Sequence, residues 1–163
     1  FNSWDARIDS YNVSFMSFSL KHCSRNLFSK TLKEKGLRST KQRACVYWAI
    51  LDKRDHPTAD DIFDRVKRHL PGTSFATVYN NLETLVDCGL VRQVNLDRSS
   101  TRFCPNLSPH AHFKCSKTGK IFDLEIPSKT ISALTDVLPA GFKARQFDLT
   151  FSGETIAEND RHE

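Results

Sequence analysis

The chain has 163 residues, of which 39% are hydrophobic and 26% charged, with a formal net charge of +5. That length suits one ordinary domain or two small ones, each able to bury a core. No apolar run approaches the ~20 residues needed to cross a bilayer, and Asp5, Arg7 and Asp9 interrupt the start where a secretory signal would be apolar. The expectation is a cytoplasmic protein with no membrane partner.

The sole methionine is Met16, and residues 1–16 read as a leader outside the fold, disordered or added to the natural chain. Residues 17–104 carry 16 Lys and Arg against 9 Asp and Glu, a net +7, whereas residues 105–163 carry 7 against 8, a net −1. A basic first half and a near-neutral second half suit a polyanion reader joined to a part with another task. The five cysteines form no CxxC pair. An odd count in a chain of this kind argues against a disulfide framework. Cys45 and Cys88 fall in apolar helical patterns and read as buried small hydrophobes.

In chain order, Leu27–Lys35 reads as a short helix stopped by Gly36. Thr40 caps a second helix running to Leu51, with Ala44, Cys45, Trp48 and Ala49 on one face. After the His56-Pro57 break, Thr58 with Asp61 makes a capping-box start for a third helix, with Ile62, Phe63, Val66 and Leu70 as its apolar face. Ser74 caps a fourth helix that Gly89 ends. The stretches Leu90–Asn95 and Thr101–Cys104, around a polar turn at 97–100, form a β-hairpin. Closely spaced helices followed by a hairpin describe a winged helix-turn-helix domain over 17–104.

Beyond Pro105 the texture changes. Residues 111–115 and 120–126 read as strands around a turn at Lys117–Gly119, Ser128 caps a helix to Leu138, and Phe142–Phe151 reads as a strand with Phe147, Leu149 and Phe151 alternating. The fold class is therefore α+β: a winged-helix reader and, over 105–163, a small α/β domain. Roughly fifty residues are marginal alone, which makes this half the expected dimerisation domain.

On the fourth helix, a turn of about 100° per residue groups Phe75, Val78, Leu82, Leu85 and Val86 toward the core. Ala76, Thr77, Asn80 and Thr84 lie opposite, with Tyr79 and Asn81 on the flanks. A face of small and amide-bearing side chains without acids suits the major groove: Asn bonds adenine in two places, and Tyr reaches a phosphate or a thymine methyl. The bland alternative is an ordinary amphipathic surface helix. The wing and the basic residues Arg38, Lys41 and Arg43 favour DNA, with Arg98 at the hairpin tip positioned for the backbone or minor groove. Ser74 and Thr77 at the helix start complete the candidate DNA-binding set.

A second constellation concerns metal. His110 and His112, two apart on a strand, point to the same face, so their imidazoles can share one ion. Cys104 precedes them, Asp123 follows on the next strand, and His56 adds a fifth donor at the junction of the two halves. The alternative is a surface His-x-His with no ligand role. A metalloenzyme built on the same residues is disfavoured, because no HExxH-like general base is present and five ligands leave little room for substrate.

The strings His56-Pro-Thr-Ala-Asp-Asp-Ile-Phe, Ser74-Phe-Ala-Thr-Val-Tyr-Asn-Asn-Leu and Cys88-Gly-Leu-Val resemble the Fur (ferric uptake regulator) family, most of all its peroxide-sensing branch, over about residues 27–153. The resemblance implies a metal-dependent repressor that binds a palindromic double-stranded operator as a homodimer. It implies that Tyr79 and Asn80 read the major groove and that Arg38 approaches the minor groove. It also implies a sensor metal that draws the two domains into a DNA-competent form. In the peroxide-sensing branch bound iron reacts with peroxide and ligand histidines are oxidised, which would make His56 and His110 the targets here.

His56, His110, His112 and Asp123 stand where that branch places ligands, but Cys104 replaces a carboxylate. A thiolate favours zinc over a hard N/O site suited to ferrous iron or manganese, and Cys104-x5-His110-x-His112 also resembles zinc-uptake repressors, although Arg92 stands where some of those carry an aspartate ligand. The metal thus stays open among zinc, ferrous iron and manganese. Many members hold a structural zinc with two CxxC pairs. Here Cys115 is left from the first, its partner position is Thr118, and the second pair falls on Thr155 and Glu158. Ala111 and Phe147 occupy ligand positions of an additional site in other members. The expectation is one regulatory divalent metal per subunit and no four-cysteine zinc. Control of a winged-helix regulator by haem or a partner is the remaining alternative.

Overall fold

The computed structural model describes residues 18–53, 55–95, 100–144 and 147–154. Residues 1–16, Arg98, and positions Thr155 and Glu158 lie outside the described residues. The chain divides into two compact units, with the described residues through 107 in the first and those from 108 onward in the second.

The first unit contains α1 (Phe18–Glu34), α2 (Lys41–Leu51), α3 (Ala59–His69), α4 (Phe75–Asp87), β1 (Arg92–Val94) and β2 (Arg102–Cys104). Three helices start on the expected side-chain caps. The Thr40 and Ser74 hydroxyls accept from the backbone N–H of Arg43 and Thr77, and Thr58 and Asp61 form a reciprocal capping box. Gly36 and Gly89 end their helices in the left-handed region, at φ 68° and 71°. Each allows the following residue to reach back: Leu37 N–H to Leu32 O at 2.8 Å, and Leu90 N–H to Leu85 O at 2.9 Å.

β1 and β2 pair antiparallel, with Arg92 opposite Cys104, and form the wing directly after α4. The core of this unit gathers Leu32, Ile50, Ile62, Val66, Val78, Leu82 and Leu85, all essentially inaccessible to solvent.

Three expectations change here. α1 starts nine residues earlier than Leu27, because the stretch before it has no Gly or Pro to stop a helix anchored by buried Phe28 and Leu32. On α2 the buried residues are Ala44, Val46, Tyr47, Ala49, Ile50 and Leu51, whereas Cys45 and Trp48 are only partly buried. The helix is covered on more than one side: it packs with α3 and α4, and Tyr47 also stacks on Phe28 of α1 at 5.1 Å. Cys88 is half-buried as well. On α4, Phe75 is 41% exposed instead of buried, and Asn81 is buried, its Nδ2 donating to Thr77 O at 2.7 Å.

The second unit contains β3 (His110–Cys115), β4 (Ile121–Glu125), α5 (Ser128–Asp136) and β5 (Thr150–Gly153) in a sheet of order β4-β3-β5. β3 and β4 are antiparallel, with His112 opposite Asp123. β5 runs parallel to β3. Ser128 is the first helical residue and makes no cap. Pro127 holds the cap position, and α5 ends at Asp136.

The last strand is four residues long, not ten. Alternation alone does not make a strand without a partner, and pairing with β3 begins only where His112 N–H meets Leu149 O at 2.9 Å. Ala111, Cys115 and Ile121 are buried, while Val137 (76%) and Phe142 (71%) leave large apolar side chains in solvent. No helix among the described residues is long and apolar enough to cross a membrane.

Candidate metal and DNA-binding sites

In the first unit, His56 sits between α2 and α3 with φ 51°, an uncommon value for any residue but glycine. The strain is held by its surroundings, as at many functional positions. His56 O accepts from Nη1 of Arg102 at 3.0 Å, and Pro57 O accepts from Phe103 N–H at 3.0 Å, which fastens the turn to β2. Arg65 supports the same turn from α3, pairing with Asp55 at 2.6 Å and donating to Ala49 O at 3.1 Å. Cys104 ends β2. Its Sγ lies within 4.8 Å of a His56 ring nitrogen and accepts from Asn106 N–H at 3.4 Å. Both side chains are buried.

In the second unit, β3 and β4 assemble three donors. The His110 and His112 Nε2 atoms are 3.0 Å apart, and Asp123 Oδ1 is 3.4 Å from the first and 3.6 Å from the second. Both histidines are buried, while Asp123 keeps partial solvent contact. His110 Nδ1 lies 2.7 Å from Ser108 O. A carbonyl only accepts, so Nδ1 carries a proton, which leaves Nε2 as the ring atom available to an ion. Neither Ser108 nor Asn106 is visible as a site residue in the sequence, since both act through backbone groups.

These donors fit a divalent transition metal. Four-coordinate bonds of about 2.0–2.1 Å place ligand atoms about 3.3–3.4 Å apart, close to the three separations in the second unit. Two imidazoles and a carboxylate accept zinc, iron or manganese, whereas a thiolate at Cys104 would be a soft donor suited to zinc.

The DNA-binding candidates separate by role. Tyr79 and Asn80 are exposed on α4, and Arg38 and Lys41 are exposed around the start of α2. Ser74 and Thr77 are engaged locally: their hydroxyl oxygens are 2.8 Å apart, and Ser74 Oγ accepts Thr77 N–H at 3.1 Å. Arg43 is half-buried and donates to Arg38 O, so it shapes the loop before α2.

Hydrogen bonding from the Thr58 backbone, helped by the Thr58 side chain, lowers the Asp61 carboxyl despite some burial, and burial raises the Cys45 thiol to about 11.

Residues 34–152 match the model of the Ferric uptake regulator family. The chain is 35% identical over 120 residues to the peroxide-responsive repressor PerR of Staphylococcus epidermidis, covering 74% of this chain and 77% of that protein. It is 36% identical over 124 residues to the peroxide operon regulator of Bacillus subtilis, covering 76% and 86%. Among solved structures it superposes on the Campylobacter jejuni peroxide stress regulator with a TM-score of 0.62 and 26% identity, over 88% of this chain and 99% of that one. The Helicobacter pylori ferric uptake regulator Fur shares the fold, with a TM-score of 0.67 at 20% identity over 82% and 90%. With a winged-helix unit, a small α/β unit and this match across most of its length, the chain belongs to the ferric uptake regulator family.

Proposed function

We propose that this chain is a metal-dependent transcriptional repressor that binds a palindromic operator as a homodimer and responds to peroxide through one metal ion per subunit. The observation that carries the reading is the His110–His112–Asp123 triad, three donors already at ligand spacing on adjacent strands. His56 and Cys104, with donor atoms within 4.8 Å of each other in the first unit, would be the further ligands. Bound ferrous iron would supply the peroxide-reactive centre. Relatives named as peroxide-responsive repressors support this choice of signal.

The chain's own residues would do the coupling. His56 immediately precedes Pro57 and the Thr58 cap of α3, so its ligation would tie the reader to the second unit. The resulting population shift is limited to the difference in ion affinity between the DNA-competent arrangement and the other. Tyr79 and Asn80 would contact bases, Arg38 and Lys41 the backbone, and Arg98 the backbone or minor groove. Exposed Val137, Phe142 and Phe151 on the second unit supply apolar surface for a second copy. The five cysteines form no CxxC pair for a four-cysteine zinc, and one regulatory ion per subunit is the reading adopted.

One observation favours a zinc-responsive alternative: Cys104 Sγ accepts a backbone N–H, which suits a ligating thiolate. Loading the protein anaerobically with Fe²⁺ or Zn²⁺, forming the operator complex and adding peroxide separates the two. Release of DNA from the iron form supports the peroxide reading. Activation by Zn²⁺ with no peroxide release from the iron form supports the zinc reading instead.

A further inference from the structure

Phe75 breaks the rule that governs the rest of its helix face. The period that buries Val78, Leu82 and Leu85 to 1% exposure or less also points Phe75 inward, yet it keeps 41% of its surface in solvent. Its position is nevertheless defined. The ring meets Phe63 of α3 edge-on at 5.4 Å and lies 6.4 Å from Tyr79, one turn further along α4. Lys67 Nζ sits 5.3 Å over the Phe63 ring and adds positive charge beside the aromatic row.

An exposed, ordered aromatic at the first position of a reader helix is placed where such helices approach base edges. The side-chain hydroxyls of that first turn are already engaged: Ser74 and Thr77 bond each other, and Ser74 caps the Thr77 N–H. What the turn offers outward is apolar surface. The apolar feature of the major groove is the C5-methyl of thymine, and phenylalanine is among the side chains that contact it.

We infer that Phe75 is a sequence-reading residue, whose exposed ring, supported by Phe63 and flanked by Tyr79, takes the C5-methyl of one thymine in each operator half-site. This rests on the DNA-binding reading above and extends it to a position the hydrogen-bonding residues do not cover. Phe63 acts as a positioning residue, because it touches the ring and not the base.

The test uses the full-length, metal-loaded protein and a duplex that it selects from a random library. Thymines of that duplex are replaced one at a time by deoxyuridine, which removes only the methyl, and affinity is read by fluorescence anisotropy. The wild type is expected to lose about fourfold at one thymine per half-site, the effect of one buried methyl. Phe75→Ala is expected to bind the thymine duplex about fourfold more weakly and to ignore uracil at that position. Phe75→Leu, which keeps an apolar side chain, retains the uracil response and shows that the helix is intact. A wild type indifferent to every uracil, or a Phe75→Ala protein with the full wild-type uracil response, overturns the inference while leaving DNA binding in place. Failure to select any duplex overturns both.

Discussion

Nη1 of Arg102 donates to the carbonyl oxygen of His56 at 3.0 Å, a link between residues 46 apart in sequence. With the neighbouring Phe103–Pro57 bond it makes the turn before α3 and the strand that ends in Cys104 a single piece. The left-handed backbone of His56 is thereby held in place, with a ring nitrogen within 4.8 Å of Cys104 Sγ. Arg102→Ala is expected to weaken metal affinity about tenfold, in the range found when groups that orient ligands are removed. Competition with a chromophoric chelator measures this, and unchanged far-ultraviolet circular dichroism shows that the fold persists.

Cobalt substitution reports on Cys104. If the thiolate ligates, Co²⁺ produces a near-ultraviolet sulfur-to-metal charge-transfer band together with visible ligand-field bands. Cys104→Ser is expected to remove the first and keep the second, since the His110, His112 and Asp123 donors are untouched. Asp123→Asn should instead lower affinity with the charge-transfer band retained. A wild-type spectrum lacking that band would exclude Cys104 as a ligand.

The Thr58–Asp61 capping box gives a stability prediction with a defined pH dependence. Thr58→Ala removes the cap and is expected to destabilise the first unit by about 1 kcal/mol in chemical denaturation. The Asp61 carboxyl is held below its ordinary value in the folded chain. Its contribution is therefore fully present above the usual carboxylate range and lost as pH falls through the lowered value. Asp61→Ala should destabilise at neutral pH, with the difference from wild type vanishing in acid.

Base-reading and backbone-contacting residues should separate by salt. Asn80→Ala is expected to weaken binding to a selected operator by about tenfold with little effect on random DNA, a loss within the range for one base contact. Lys41→Ala should weaken both similarly and reduce the slope of log affinity against log salt by about one. Equal losses on operator and random DNA for Asn80→Ala would remove it from the base-reading set.

Local chemistry made the first unit legible in sequence. Thr40, Thr58, Ser74, Gly36 and Gly89 each mark a helix end through their own side chain or its absence, and each marks the end the structure shows. The second unit was less legible. Its last strand depends on where β3 offers a partner, so the alternation through Phe147 and Leu149 overstated its length.

At the candidate metal site, the i, i+2 spacing of His110 and His112 pointed to a shared face, and the structure brings both to Asp123. The backbone groups of Ser108 and Asn106 carry no side-chain signature and had no signal to find. Phe75 was misread because periodicity gives the direction of a side chain but not where the neighbouring helix stops covering it.

The most direct test is the operator affinity of the whole chain, metal-free and with one equivalent of divalent metal per subunit, for wild type and His110→Ala. The expected result is a gain of about 10- to 100-fold on metal addition for the wild type, with little or no gain for His110→Ala. Equal affinity with and without Fe²⁺, Mn²⁺ and Zn²⁺, in both proteins, would contradict a metal-dependent repressor.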